Sequence, residues 1–234
     1  MLQTQARVDG GPSPGEFGSF AARLPPPHWS ALQLIGRTVA FARAEVLMYG
    51  NEPAGRVMVL LDGRAKVSRT DSRGQELLVS IRGPGEILGE LSLVDGRPED
   101  GSVIALEPVH ALTIDARVFR RYLDATPPVA VALLAVLSDR LRDEMLKRVQ
   151  CTASDTIGRV AARLVELTER YGEPAERGIV IGLPLSQEEL GTWAGGSHAG
   201  VAKALQVLRE LGWIATERRR ITVCDLPALR GRAA

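Results

Sequence analysis

Hydrophobic and polar positions divide the chain into three stretches with different periods. From Gly36 to about Ile114, short apolar or β-branched runs recur: Val39–Phe41, Glu45–Met48, Val57–Leu61, Ala65–Ser68, Glu76–Ile81, Ser102–Ala105 and Val109–Ile114. Turn-forming residues punctuate them, among them Gly50-Asn51-Glu52-Pro53, Asp62-Gly63, Asp71–Gly74 and Gly83-Pro84-Gly85. Many short strands at regular spacing predict a barrel or sandwich. Residues 1–27, rich in Gly and Pro, have little apolar period and read as a mobile tail. A short helix is predicted around Trp29–Ile35.

The period changes after Asp115. Val129 to Ile157 contains neither Gly nor Pro, which permits a helix of about 40 Å. Along it Ala130, Leu134, Leu137, Leu141, Met145 and Val149 recur at three- and four-residue steps, with Arg140, Asp143, Lys147 and Gln150 opposite. A narrow apolar seam on a long helix suits pairing with a copy of itself. Packing on its own β domain is the alternative. A second helix, Thr156–Tyr171, carries Ile157, Val160, Leu164 and Leu167 on one face. A strand-like run, Gly178–Leu185, comes next.

In Leu185–Leu211, two short helical patterns flank Gly195-Gly196. Leu190 and Ala194 on the first face Val201, Leu205 and Leu208 on the second. Ser186 and Glu189 form a capping box, and Ser197 caps the second helix. This is the sequence form of a helix-turn-helix, whose second helix fits the DNA major groove. A helix pair that touches no nucleic acid shows the same pattern. The segment after the pair favours DNA: Trp213-Ile214 starts a strand, Ile221–Val223 returns, and the turn between them holds Arg218, Arg219 and Arg220. Such a wing suits phosphate contacts.

Composition adds bounds. The 234 residues are 45% hydrophobic and 24% charged, with a net charge of +1. DNA affinity must therefore come from a local basic surface, which two-fold symmetry would double. Cys151 and Cys224 have no metal-type spacing and no disulfide framework. No apolar run is long enough to span a membrane, and the N-terminus lacks a signal core, so a reducing cytoplasm is expected. Walker-type loop, nucleophile elbow and metal-type clusters are missing, so no enzyme is expected.

The order of β-rich domain, long helix and winged helix-turn-helix resembles the family of the cyclic AMP receptor protein and the fumarate–nitrate regulator. Two further segments carry the resemblance. Val46–Val67 (VLMYGNEPAGRVMVLLDGRAKV) looks like the opening of a cyclic-nucleotide-binding β-roll. Gly85–Val103 (GEILGELSLVDGRPEDGSV) is similar to the family's phosphate-binding cassette. The expected architecture is α+β: residues 28–126 as a β-roll (jelly-roll) sensor, 127–155 as a dimerisation helix, and 156–234 as a winged helix-turn-helix.

Gly89, Glu90 and Leu91 match the cassette, where the resemblance implies that the glutamate accepts from a ribose 2′-hydroxyl. The phosphate-pairing arginine and the Ser or Thr after it are replaced by Glu99 and Asp100. A carboxylate about 4 Å from an anion is repelled by about 4 kcal/mol at an effective dielectric of 20. Arg97, two residues away, is a weak substitute. On the long helix Glu144 and Met145 stand where cyclic-AMP-binding members place small hydroxyl residues. Weak or absent cyclic AMP binding is therefore expected. No ligand, a different ligand, or a cyclic dinucleotide such as cyclic di-GMP remain. No cysteine precedes Cys151, which excludes the family's N-terminal iron–sulfur cluster, and neither His28 nor His110 sits in a haem-ligand setting. Where the family has Ser-Arg-Glu and a later Arg on its recognition helix, this chain has Ser197-His198-Ala199 and Lys203. An operator different from the TGTGA-type half-site is expected. Gln187 and the arginine turn are candidates for backbone contacts. The implied partners are double-stranded DNA, a twin subunit and RNA polymerase. A ligand-binding module acting through protein contacts is the competing class.

Overall fold

The computed structural model describes residues 18–53, 55–72, 74–217 and 220–233, and of residues 150–153 the backbone alone. A 3-10 turn at Ala21–Arg23 leads into α1 (Pro26–Ile35) and eight strands: β1 (Arg37–Phe41), β2 (Val46–Met48), β3 (Arg56–Asp62), β4 (Ala65–Thr70), β5 (Glu76–Arg82), β6 (Ile87–Leu88), β7 (Ser102–Ala105) and β8 (Val109–Asp115). Helix α2 (Glu90–Asp95) lies between β6 and β7. The strands form two four-stranded sheets, in the orders β1-β8-β3-β6 and β2-β7-β4-β5, with antiparallel pairing. Both faces of β3 are buried. Met58 and Leu60 point between the sheets with Leu47, Val103 and Val109, while Val57 and Val59 point outward against α1 and the later helices. This alternation is the period-two pattern of a strand covered on both sides.

One expectation changes here. The tail reading fails for its last residues: Phe20 and Leu24 are buried with Trp29 and Phe119, and Ala21 N–H donates to the Gly85 carbonyl. Residues 1–17 lie outside the described residues. The segment after β8 is also helical, as α3 (Ala116–Ala125), started by Asp115, whose carboxylate accepts from the N–H groups of Arg117 and Val118. An acidic N-cap of this kind satisfies helix-start donors.

Helix α4 (Pro127–Ala153) has two apolar stripes. Val129, Ala132, Leu133 and Val136 pack on the β-roll. Val131, Leu134, Leu141, Met145 and Val149 face outward, each more than half exposed. Of the predicted seam, Leu134, Leu141, Met145 and Val149 are exposed, while Ala130 and Leu137 are half-buried. Arg140, expected on the solvent side, instead points at the β-roll.

The C-terminal part comprises α5 (Thr156–Tyr171), β9 (Gly172–Ala175), β10 (Gly178–Ile181), α6 (Gln187–Trp193), α7 (His198–Glu210), β11 (Ile214–Glu217), β12 (Arg220–Val223) and α8 (Leu226–Ala233). Its sheet runs β11-β12-β10-β9. Val160, Leu164, Leu167, Leu190, Val201, Leu205 and Leu208 share one core, which also takes in Leu78, Ile81 and Leu106 of the β-roll. Among the described residues no single helix is long and apolar enough to cross a membrane.

Candidate nucleic-acid interface and effector cassette

Local chemistry sets the helix-turn-helix. The Ser186 hydroxyl accepts from Glu189 N–H at 3.0 Å, and the Glu189 carboxylate accepts from Ser186 N–H at 2.7 Å. The reciprocal pair fixes the start of α6. Gly195 takes φ +63 at the turn, a region that favours glycine. Ser197 starts α7 by accepting from Gly200 N–H. Val201, Ala204, Leu205 and Leu208 bury the inner face of α7, leaving His198, Ala199 and Lys203 exposed on its outer face. Gln187 is exposed at the start of α6, and Arg220 lies in the wing strand β12 beside it. The structure thus brings Gln187, His198, Ala199, Lys203 and Arg220 into one domain. Ser197 is already engaged in capping. Arg218 and Arg219 lie outside the described residues.

The cassette is built on Gly89, which takes φ +77 before α2. A Cβ there would lie 2.6 Å from the Arg56 carbonyl oxygen, so only glycine fits. Glu90 is buried and its carboxylate is paired with the Arg140 guanidinium. Arg140 also donates to the Ile87 carbonyl at 2.9 Å and lies 3.8 Å from Glu86. Burial lowers the Arg140 pKa against the opposing pull of Glu90. Glu90, which the resemblance pairs with a ribose hydroxyl, thus has one carboxylate oxygen engaged by Arg140.

Glu99 lies beside Gly89. Its N–H donates to the Glu52 carbonyl and its own carbonyl accepts from Asn51 N–H, which pins it to the β2–β3 turn. Its Oε1 is out of solvent and without a hydrogen-bond partner. Burial pushes the Glu99 carboxyl above the usual carboxylate range, with Glu90 and Asp100 adding to the effect and the Ser92 hydroxyl opposing it. Asp100 points to solvent, 3.4 Å from Arg69. Arg97 is exposed and lies 3.7 Å from Asp95, so it brings no cation to Glu99. Leu91 is half exposed on α2. Glu144 and Met145 are exposed on α4, and the structure does not bring them to the cassette within one chain. His28 and His110 lie apart: Nδ1 of His28 is 3.4 Å from the Tyr122 hydroxyl, and His110 is exposed on β8. Among the described residues no group of His, Cys, Asp and Glu is arranged to hold a metal.

Sequence reasoning misses the contact between the two regions. Lys66 Nζ on β4 lies 2.7 Å from Glu189 and 2.8 Å from Glu76. Thr192 Oγ1 on α6 accepts from Leu78 N–H, covering the edge strand β5. Trp193 lies between Lys147 of α4 and Arg163 of α5 at cation–π distances. Burial opposes charge on both Lys66 and Glu189, yet their pairing prevails: Lys66 is held above its usual range and Glu189 below. The partners are 123 residues apart, so no local pattern announces them.

Residues 38–126 match the cyclic nucleotide-binding domain family, and residues 158–232 match the Crp-like helix-turn-helix domain family. The chain is 31% identical over 195 residues to the CRP-like cAMP-activated global transcriptional regulator of Mycobacterium tuberculosis, covering 83% of this chain and 87% of that protein. It is equally identical, 31% over 193 residues, to the global nitrogen regulator of Synechococcus elongatus, covering 81% and 86%. The structure of CLP, a c-di-GMP responsive global regulator of Xanthomonas campestris, is similar in fold with a TM-score of 0.72 at 18% identity, covering 85% of this chain and 99% of that one. This chain belongs to the CRP/FNR family of transcription regulators. It pairs a cyclic nucleotide-binding domain with a DNA-binding helix-turn-helix.

Proposed function

We propose that this protein is a homodimeric, cytoplasmic regulator that reads a near-palindromic operator and does not take cyclic AMP as its effector in the usual way. The carrying observation is the capped α7, apolar within and polar without, with His198, Ala199 and Lys203 facing solvent. His198 offers one hydrogen bond to a base edge, Ala199 an apolar contact such as a thymine methyl, and Lys203 a cation for guanine or phosphate. Gln187 and the Arg218–Arg220 wing suit the DNA backbone.

The exposed stripe Leu134, Leu141, Met145, Val149 supports self-pairing of α4, because contiguous exposed apolar surface marks an interface. A dimer sets two reading helices about one DNA turn apart. The working units are 28–126 for sensing, 127–155 for pairing and 156–234 for reading. RNA polymerase is the expected partner at a promoter. A signal at the sensor acts by population shift, to the extent that it binds one arrangement better.

At the cassette, Gly89, Glu90 and Leu91 supply the family's turn, but Glu99 beside Gly89 opposes an anionic phosphate, Asp100 turns to solvent, and Arg140 engages Glu90. A second reading, response to cyclic di-GMP, rests on this same substitution and on the likeness in fold to a regulator described as responsive to that dinucleotide.

Selection of bound sites from random duplex DNA tests the proposal, run without effector, with cyclic AMP and with cyclic di-GMP. A palindromic motif and a dimeric mass are expected, unchanged by cyclic AMP. Enrichment only with cyclic di-GMP supports the second reading. A protein that enriches no sequence under any condition is a ligand-binding module acting through protein contacts, which overturns the proposal.

A further inference from the structure

Helix α3 carries Arg117, Arg120 and Arg121 on one face, and all three border a cleft of about 580 Å³ between α2 and α3. Leu93, Pro98 and Ala116 supply its apolar walls, and no Asp or Glu among the described residues lines it. Like charges three and four residues apart on a helix repel. Little here offsets them. Arg117 is 91% exposed and 3.7 Å from Asp115. Arg120 donates to the uncharged Leu93 carbonyl at 3.1 Å. Arg121 makes no ion pair among the described residues. Cationic charge is thus gathered around a shallow, open and partly apolar surface. Guanidinium forks match phosphate oxygens two at a time, and apolar walls with a few placed polar groups are the usual make-up of a small-molecule site.

The cleft lies on the α3 side of the cassette segment, which lends it Ser92, Leu93, Gly96 and Pro98, and not on the side of Gly89 and Glu90. Arg120 ties α2 from the α3 side, whereas the Arg140–Glu90 pair ties it from the α4 side. We propose that the α2–α3 cleft binds an organic phosphate: a phosphate group held by the α3 arginines, on an apolar or aromatic body seated against Leu93, Pro98 and Ala116. The site does not depend on the DNA reading, and it sets an anion where the cations are, one helix away from the carboxylates of Glu90 and Glu99.

Calorimetric titration of the full-length protein at physiological salt, with phenyl phosphate, inorganic phosphate and phenol as probes, tests it. Phenyl phosphate is expected to saturate one site per chain, about tenfold or more tighter than either fragment. The double substitution Arg117→Gln, Arg121→Gln, at exposed positions where folding should be unaffected, is expected to weaken it about tenfold or more at an unchanged melting temperature. Amide shifts are expected at Gly96, Arg117 and Arg121. The proposal is overturned by absence of saturable binding, by equal affinity for inorganic phosphate, by binding that survives the double substitution, or by shifts confined to Gly89 and Glu90.

Discussion

In the reading head, the glycine turn, both helix caps and the outward polar residues of α7 occur together. In the cassette, Gly89 keeps its left-handed turn, but Glu99 and Asp100 stand where a phosphate needs a cation. The backbone framework is present in both regions, while the side chains it presents differ: a histidine, an alanine and a lysine on α7, and two carboxylates at the cassette. Fold and site chemistry therefore separate here: glycine turns and helix caps set the backbone frames, while the side chains they present, Glu99 among them, differ in charge and burial. Ion pairs also join elements of the two regions. Glu86 is buried among Arg82, Arg140 and Arg170, and Lys66 reaches the capping glutamate of α6.

The comparison breaks most completely if the dimer is removed. Leu134→Glu with Leu141→Glu places charges in the outward stripe of α4. A monomer in light scattering is expected, with operator affinity reduced by about 100-fold or more, because one chain holds one half-site. It sharpens if the cassette charge is restored. Glu99→Arg with Asp100→Ser replaces repulsion with a bidentate pair, and cyclic AMP affinity is expected to rise by on the order of a hundredfold. Calorimetry showing no gain would place the block elsewhere, at the Arg140–Glu90 pair.

Smaller effects test the reading head. His198→Ala and Lys203→Ala should each cost about 1–3 kcal/mol on the selected operator in a gel-shift titration. Equal losses on random duplex would reassign them to phosphates. Lys66→Ala leaves Glu189 and Glu76 without their cation and should lower stability by about 1 kcal/mol, discounted for partial exposure. Glu189 is held below the usual carboxylate range, so its share of stability is present above that range and is lost as pH falls. Lys66 is held above its usual range, so its share persists through neutrality and is lost only in strong alkali. A melting-temperature series from neutral to acid should therefore show the Lys66→Ala deficit shrinking as pH drops. The smallest effect has the opposite sign. Glu99 is held above the usual range, so its ionised form destabilises the fold at neutral pH. Glu99→Gln is expected to raise stability by on the order of 1 kcal/mol or less at neutrality, a gain that vanishes in acid where both forms are neutral.

The strands of the β-roll are legible in the sequence because apolar runs and turn residues alternate at short intervals. The helix pair is legible because caps and glycines are local signals. Helix α3 escapes the reading although Asp115 is a readable cap and Ala116, Phe119 and Leu123 recur at helical steps, because it is short and Pro127-Pro128 cuts it off from the longer period of α4. Arg140 falls on the wrong side of α4 in a sequence reading: helical periodicity puts a cation in water, and its buried partner Glu90 lies 50 residues upstream. The Lys66–Glu189 contact and the orphaned Oε1 of Glu99 are likewise beyond reach, because each depends on what the fold brings alongside rather than on its neighbours in the chain.

The most direct measurement is operator binding by the full-length protein at physiological salt, titrated with and without cyclic AMP on a duplex recovered by selection. Tight, sequence-specific binding that cyclic AMP leaves unchanged is expected. A protein that ignores the duplex until cyclic AMP is added would contradict it.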